Sequence, residues 1–177
     1  MKNYTSYDLI EWGKPFEKSQ HALPEPTLSE VLIRVTAAGL CHSDLHVQKG
    51  YMDLGEEGRL TFAERGAQLP MTFGHEIAGI VEAIGDKVKN VSIGQQVIVF
   101  PWIGCGDCLA CNEDRESDCS AMRIIGLKQK GGFATHCLIE NEKFLVNIDG
   151  LDAAEVVPHA CSGITVYNAL EKIGFLR

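Results

Sequence analysis

The pattern Cys105-x2-Cys108-x2-Cys111-x7-Cys119 gathers four of the chain's seven cysteines into one acidic loop, Gly104 to Ser120. Thiols this close either pair with one another or hold a metal. In a reducing compartment clustered cysteines more often bind metal, and an odd cysteine count fits a disulfide framework poorly. Four thiolates on a tight loop can enclose one Zn²⁺ tetrahedrally, leaving no open position. Such a site staples a lobe that has little apolar material of its own. A nucleic-acid zinc ribbon is one rival, but Asp107, Glu113, Asp114, Glu116 and Asp118 would repel phosphate. An iron–sulfur cluster is another, because spacing alone does not exclude it. A closed metal site does no chemistry, so a function has to be sought elsewhere in the chain.

The bulk numbers narrow the search. The chain has 177 residues, 45% hydrophobic and 23% charged, which suits one globular domain spanning 1–177. A formal net charge of −8 argues against nucleic acid or an anionic membrane surface as partner. No apolar run approaches the roughly 18 residues a membrane span needs. Met1 to Asp8 lacks the apolar centre of a signal peptide, so a cytoplasmic location is expected.

Five segments read as strands: Glu30–Ala37, Ile77–Ile84, Gln96–Phe100, Phe133–Ile139 and Phe144–Ile148. Gly85-Asp86-Lys87 marks a turn and Pro101 a stop. Short strands punctuated by glycine predict a mainly β (α+β) domain, barrel-like or sandwich-like. The end differs. Asp152 with Glu155 three residues on resembles a capping box, and Pro158 breaks or restarts the helix. Ile164 to Ile173 carries helical spacing, and Gly174 stops it.

A second set of metal-binding side chains is dispersed. Cys41-His42-Ser43-Asp44-Leu45-His46 follows the first strand, Gly74-His75-Glu76 precedes another, and Cys161 lies near the final helix. Cys41, His75 and Cys161 offer two thiolates and an imidazole, the ligand set of a catalytic zinc with one position open. Taken singly, a Cys or His is more often a buried or surface filler.

Together these segments resemble the zinc-dependent, medium-chain alcohol dehydrogenases, whose motifs occur in the same order. The resemblance implies a GroES-like catalytic barrel with a structural zinc lobe at 104–120. It implies one catalytic zinc on Cys41, His75 and Cys161, and one structural zinc on Cys105, Cys108, Cys111 and Cys119. Glu76 matches a carboxylate beside the catalytic metal, either a transient ligand or a nearby charge. Asp44 matches the carboxylate that orients the ligating histidine, or else caps a helix. Ser43 and His46 match a proton relay from the alcohol to solvent, although a lone surface histidine is common. His42 matches a position facing the cofactor pyrophosphate and Thr165 one touching the nicotinamide. Trp102 matches a bulky residue lining the substrate pocket. The implied reaction oxidises a small-molecule alcohol to its carbonyl product with NAD or NADP. Polyol, threonine and formaldehyde oxidation share this metal chemistry.

The sequence departs from that pattern in three places. No G-x-G-x-x-G is present, since Gly131-Gly132 and Gly104-x-Gly106 lack the rest of it, and the Rossmann domain is absent from the chain. The chain alone is therefore expected to bind zinc, to bind nicotinamide poorly and to be inactive without a Rossmann-domain chain. A homo-oligomer stays open, and the alternative to an enzyme is a zinc-binding remnant or half of a split assembly. Residues 51–68 form extra length between two ligands, either a solvated loop or a rim over the pocket. His159, two residues before Cys161, either competes for the metal or packs against the helix.

Overall fold

The computed structural model describes residues 2–175, and its architecture follows from twelve short strands. In chain order these are β1 (Asn3–Leu9), β2 (Glu17–Ala22), β3 (Val31–Gly39), β4 (Tyr51–Asp53), β5 (Arg59–Thr61) and β6 (Met71–Thr72). They continue with β7 (Glu76–Ile84), β8 (Gln96–Val99), β9 (Trp102–Ile103), β10 (Arg123–Ile124), β11 (His136–Ile139) and β12 (Leu145–Asn147). Four α-helices interrupt them: α1 (His42–Lys49), α2 (Leu109–Asn112), α3 (Ala153–Val156) and α4 (Ser162–Lys172).

The main sheet has the order β11-β3-β7-β8-β12, with every neighbouring pair antiparallel. Its strands are rich in Val and Ile, which pack well on a pleated, buried surface. Val31, Ile33, Ile77, Val81, Val97, Val99 and Ile139 interdigitate in one core cluster. A second sheet, β2-β1-β6, joins the first where Ala134 bridges Ser6 and Thr135 donates its N–H to the Thr5 carbonyl. Below it Leu9, Phe62 and Phe73 form another cluster, with Trp12 and Phe16 packed on it. A third cluster seats the segment before Cys161 on the main sheet, through Ala78, Ile98, Val157 and Ala160.

The mainly β expectation holds, with shorter strands at two places. Phe133–Thr135 lies outside β11, because these residues bond to the segment before β7 and to β1 rather than continuing the β3 ladder evenly. Phe144 belongs to a 3-10 turn, Glu142–Phe144, and β12 starts one residue later. At the C-terminal end Asp152 caps α3 by accepting the Ala154 N–H at 2.8 Å. Pro158 sits in a 3-10 continuation, Val157–Ala160, whose first turn tolerates a missing N–H. Gly174 adopts φ +73° and ends α4.

β1 and β2 have no hydrophobic signature. The buried face of β1 carries Tyr4, Ser6 and Asp8, with Leu9 at its end. Asp8 survives burial through its partners. Thr72 donates its hydroxyl to Asp8 Oδ1 at 2.6 Å, and His21 Nε2 lies 3.0 Å from Oδ2. Burial opposes the charge, but hydrogen bonds from Thr72 and His21 help hold the carboxyl below the usual carboxylate range. A depressed folded-state value stabilises the fold above the unfolded pKa and loses that effect as pH falls through the folded one. Thr72→Val, which leaves a buried carboxylate short of a donor, is expected to cost about 1–3 kcal/mol at pH 7. Urea unfolding at pH 7 and at pH 3 measures this, and the deficit should shrink at the lower pH.

Candidate metal centre

The dispersed ligands meet at one end of the β3–β7 ladder. Gly39 is the last residue of β3 and pairs with Glu76, the first of β7. Cys41 therefore lies just beyond one strand and His75 just before the other. A register shift between Val35 and Ala37 marks a bulge that sets this pairing. A side chain at position 39 would run into the Glu76 carboxylate, so glycine is required there. Gly74, at φ +90°, turns the chain into His75, and its own missing side chain leaves room for Phe133. Gly131 and Gly132 fill no phosphate loop. They donate backbone N–H groups to Thr72 and Gly74 and so brace the approach to His75.

Cys161, the N-cap of α4, completes the set. One ligand atom from each of Cys41, His75, Glu76 and Cys161 lies within 4.8 Å of the other three. The two sulfurs are 3.7 Å apart, and both thiols are free. A zinc ion about 2.3 Å from each of two sulfurs in a tetrahedron sets them about 3.8 Å apart. A disulfide would bring them to about 2.0 Å. Both the spacing and the donor chemistry fit zinc.

Asp44 organises this set. Its Oδ2 accepts the Cys41 N–H at 2.9 Å, and its Oδ1 lies 3.3 Å from His75 Nδ1. The N-cap of α1 is Cys41, and Asp44 sits three residues inside, reaching back as in a capping box. One buried carboxylate thus fixes a ligand backbone and a ligand ring, leaving His75 Nε2 for the metal. Burial disfavours an imidazolium here, but Asp44 outweighs it and raises the His75 pKa. Burial likewise works against a Cys41 thiolate, but hydrogen bonds led by Ser43 lower its pKa. The Cys161 thiol is pushed up to about 12, by burial and then by Cys41. Burial also raises Glu76. For Cys161 to join Cys41 as a thiolate near neutral pH, a divalent cation would have to sit between them.

The other predicted residues are partly gathered. Ser43 Oγ is 3.4 Å from His75 Nε2. Among the described residues no hydrogen bond joins Ser43 to His46, whose ring meets His42 edge-on at 4.8 Å. His42 is exposed on α1, and Thr165 is exposed on α4 beside a cavity that Trp102 also lines. Trp102 lines a second cavity too, of about 250 Å³, together with Ser43, His75 and Cys161. The 51–68 segment is a β4–β5 hairpin with an exposed tip, and its root sends Met52 and Phe62 into that cavity wall. His159 stays outside the metal group and lies over Gly163 at the start of α4.

The four-cysteine loop forms the second candidate centre. Its four sulfurs lie within 4.8 Å of one another. Cys105 and Cys111 are 3.9 Å apart, Cys108 and Cys111 3.5 Å, which brackets the tetrahedral edge. Backbone N–H groups of Asp107 and Cys108 bring the Cys105 thiol down to about 6. The pair β9–β10 closes the base of the lobe, and Lys143 binds Glu116 at 2.6 Å to tie it to the body.

With this geometry in place, the comparisons with known proteins are direct. The alcohol dehydrogenase GroES-like domain matches residues 27–150. The chain belongs to that family. An NAD-dependent alcohol dehydrogenase of Sulfurisphaera tokodaii is 41% identical over 93% of this chain and 46% of its own length. The alcohol dehydrogenase of Aeropyrum pernix superposes with a TM-score of 0.81 at 28% identity, covering 96% of this chain and 48% of that one. A cobalt- and zinc-bound thermostable alcohol dehydrogenase of Pyrobaculum aerophilum gives a TM-score of 0.81 at 25% identity, covering 97% of this chain and 49% of that one. The chain therefore spans about half the length of the relatives it matches, and it has their GroES-like fold.

Sequence reasoning passed over α1 and, although it allowed a rim over the pocket at 51–68, did not single out Met52 and Phe62. HSDLHVQK shows no apolar stripe, and Met52 and Phe62 sit in a segment otherwise rich in charge and glycine. If Cys41 and His75 hold a metal, the Asp44 bridge is testable. Asp44→Ala is expected to weaken metal affinity at this site about 10–100-fold while sparing the four-cysteine loop. Competition with a chelator of known affinity measures both sites.

Proposed function

We propose that these residues form the single catalytic domain of a zinc-dependent alcohol dehydrogenase, with one catalytic and one structural zinc. The observation that carries this reading is that the Cys41, His75, Glu76 and Cys161 cluster puts two of its members, His75 and Cys161, on the wall of a largely apolar cavity. Three ligands leave a fourth position for an oxygen from the cavity. The substrate is a small-molecule alcohol or its carbonyl product, and the cofactor NAD or NADP.

When bound, zinc lowers the pKa of an alcohol oxygen and nicotinamide takes up hydride. The chain's own residues do the rest. Asp44 fixes the tautomer and direction of His75. Ser43 Oγ lies next to His75 Nε2 and accepts the alcohol proton. His46, one turn further on α1, receives it through an intervening hydroxyl or water and releases it to solvent. Glu76 offers a carboxylate oxygen that can hold the fourth position when no substrate does. Phe62, Trp102, Ile125 and Leu127 keep water from the reacting carbon. His42 and Thr165 face the cofactor.

The dinucleotide needs a Gly-rich strand–turn–helix that these 177 residues do not contain. It comes from further polypeptide, in the same chain or a partner, in a cytoplasmic enzyme that can form a homo-oligomer. No helix among the described residues is long and apolar enough to cross a membrane.

Zinc per chain is the deciding measurement. Two zincs are expected. Cys41→Ser should remove one, and Cys105→Ser the other together with the stability of the lobe. A zinc content untouched by Cys41→Ser would refute the catalytic centre. Incubated with NAD or NADP and an alcohol, the 177-residue chain should form no appreciable reduced cofactor, read at 340 nm; robust turnover would sink the need for a dinucleotide-binding partner.

A further inference from the structure

We propose that the alcohol taken at the Cys41–His75–Cys161 centre carries an oxyanion at its far end, bound by Arg65 and Lys128. This deepens the function proposed above and rests on it. Phe62, Ile124 and Leu127 form one wall of the metal-side cavity. The same three side chains line a second cavity, of about 240 Å³, towards the four-cysteine lobe. One cavity reaches the metal ligands, and the other reaches Arg65, Ser120 and Lys128. An elongated ligand lying along the shared apolar wall would have its hydroxyl in the first and its other end in the second.

Charge identifies that other end. The chain has 24 acidic and 16 Lys and Arg residues, so a cavity chosen at random should show carboxylates. The cavity around Tyr4 has Glu30 and Glu140 beside Lys130. The one beside Cys105 balances Arg123 and Lys143 with Glu140. The cavity beside Thr165 has Lys172 and no Asp or Glu, and the Arg65 and Lys128 cavity sets two cations together with no Asp or Glu on its wall. Among the described residues the other arginines, Arg34, Arg59, Arg115 and Arg123, each find a carboxylate, whereas of the lysines only Lys143 does, so it is the unpaired Arg65 that stands apart. Among the described residues Arg65 and Lys128 make no ion pair and no side-chain hydrogen bond. Arg65, Lys128 and Ser120 are exposed residues that line one space, and a guanidinium, an ammonium and a hydroxyl there match a carboxylate or phosphate group. The competing explanation is that these cations balance the thiolates of the lobe, since Cys119 lines the same cavity.

The test titrates the metal-loaded protein with ω-hydroxycarboxylates and ω-hydroxyalkyl phosphates of graded chain length. Each is paired with the neutral alcohol of equal length. Binding is read by calorimetry, and the visible spectrum of the cobalt-substituted protein reports whether the hydroxyl reaches the metal. At least one charged probe should bind about tenfold tighter than its neutral partner, with the preference shrinking as salt rises. Combined Arg65→Gln and Lys128→Gln should abolish the preference and leave the neutral alcohols unchanged. The tighter of the two probe classes identifies the oxyanion. Equal binding of charged and neutral probes, or a preference that survives the double substitution, overturns the inference and leaves the dehydrogenase reading intact. It is equally overturned if the double variant loses lobe zinc with the probe ratio unchanged. If no alcohol perturbs the cobalt spectrum, the dehydrogenase reading fails and the inference with it.

Discussion

The antiparallel ladder between β3 and β7 is the contact on which the metal centre depends. Its last pair, Gly39 opposite Glu76, puts the chain leaving β3 and the chain entering β7 side by side. Cys41 and His75 are then neighbours although 34 positions separate them in the numbering. Backbone pairing alone is not enough, because side chains just beyond a strand are free to swing. Asp44 removes that freedom by bonding the Cys41 N–H and the His75 ring with a single buried carboxylate. A one-residue slip in the ladder would turn Glu76 out of the site and set Gly39 against a bulkier neighbour. The bulge at Thr36 and the glycine at 39 are therefore parts of the site, although neither touches a metal.

The two clusters solve the same problem of like charge in different ways. In the lobe, four sulfurs come from one short stretch, and the backbone itself supplies the N–H groups that favour thiolate at Cys105. Ordering that stretch costs conformational entropy, which its few apolar contacts do not offset. A bound divalent ion would offset it, as in small metal-dependent domains. At the dispersed centre the fold does the ordering first. The β3–β7 ladder, α1 and the Ala78–Ile98–Val157–Ala160 cluster hold the ligands together whatever sits between them. On the function proposed above, the lobe would then act as the staple and the dispersed centre as the site with an open side.

This difference also explains what could be read from the sequence. The Val- and Ile-rich strands of the main sheet announce themselves, because both strand and core are written in the same residues. The four-cysteine loop does so through spacing. Cys41, His75 and Cys161 are individually unremarkable and became legible only when set against the order of motifs in a family. β1 and β2 stayed hidden because the buried side of β1 is Tyr, Ser and Asp, and β2 reads EKSQHA throughout. Their stability comes from pairing and from the Asp8–Thr72–His21 bonds, which are long-range and leave no local pattern. α1 was equally silent, since a helix of eight residues begun by Cys41 and stopped by Gly50 at φ +89° needs no amphipathic stripe. The Ser43–His46 relay illustrates the remaining gap. The sequence puts the two residues three positions apart, but only coordinates show that they share a helix and that Ser43 turns to His75 and His46 to His42.

The 51–68 hairpin shows how such a fold can alter specificity without moving its metal. As a whole the segment looks solvated, and its tip is. Yet a β-hairpin alternates its side chains, so the strands at its root must present one face to whatever lies beneath. Beneath it lie Leu9, Val47 and Phe73, and the inward residues Met52 and Phe62 pack there. From that position they form a wall of the metal-side cavity without contributing a ligand. The tip can lengthen, shorten or change charge with little consequence for the centre, because no ligand or supporting bond runs through it. The root cannot, because Phe62 closes the metal-side cavity, packs the core below it and lines the cation-rimmed cavity beyond. A residue with three such neighbours couples the size of the site to the stability of the domain, so changes in substrate shape here should arise by repacking around Phe62 rather than by deleting it.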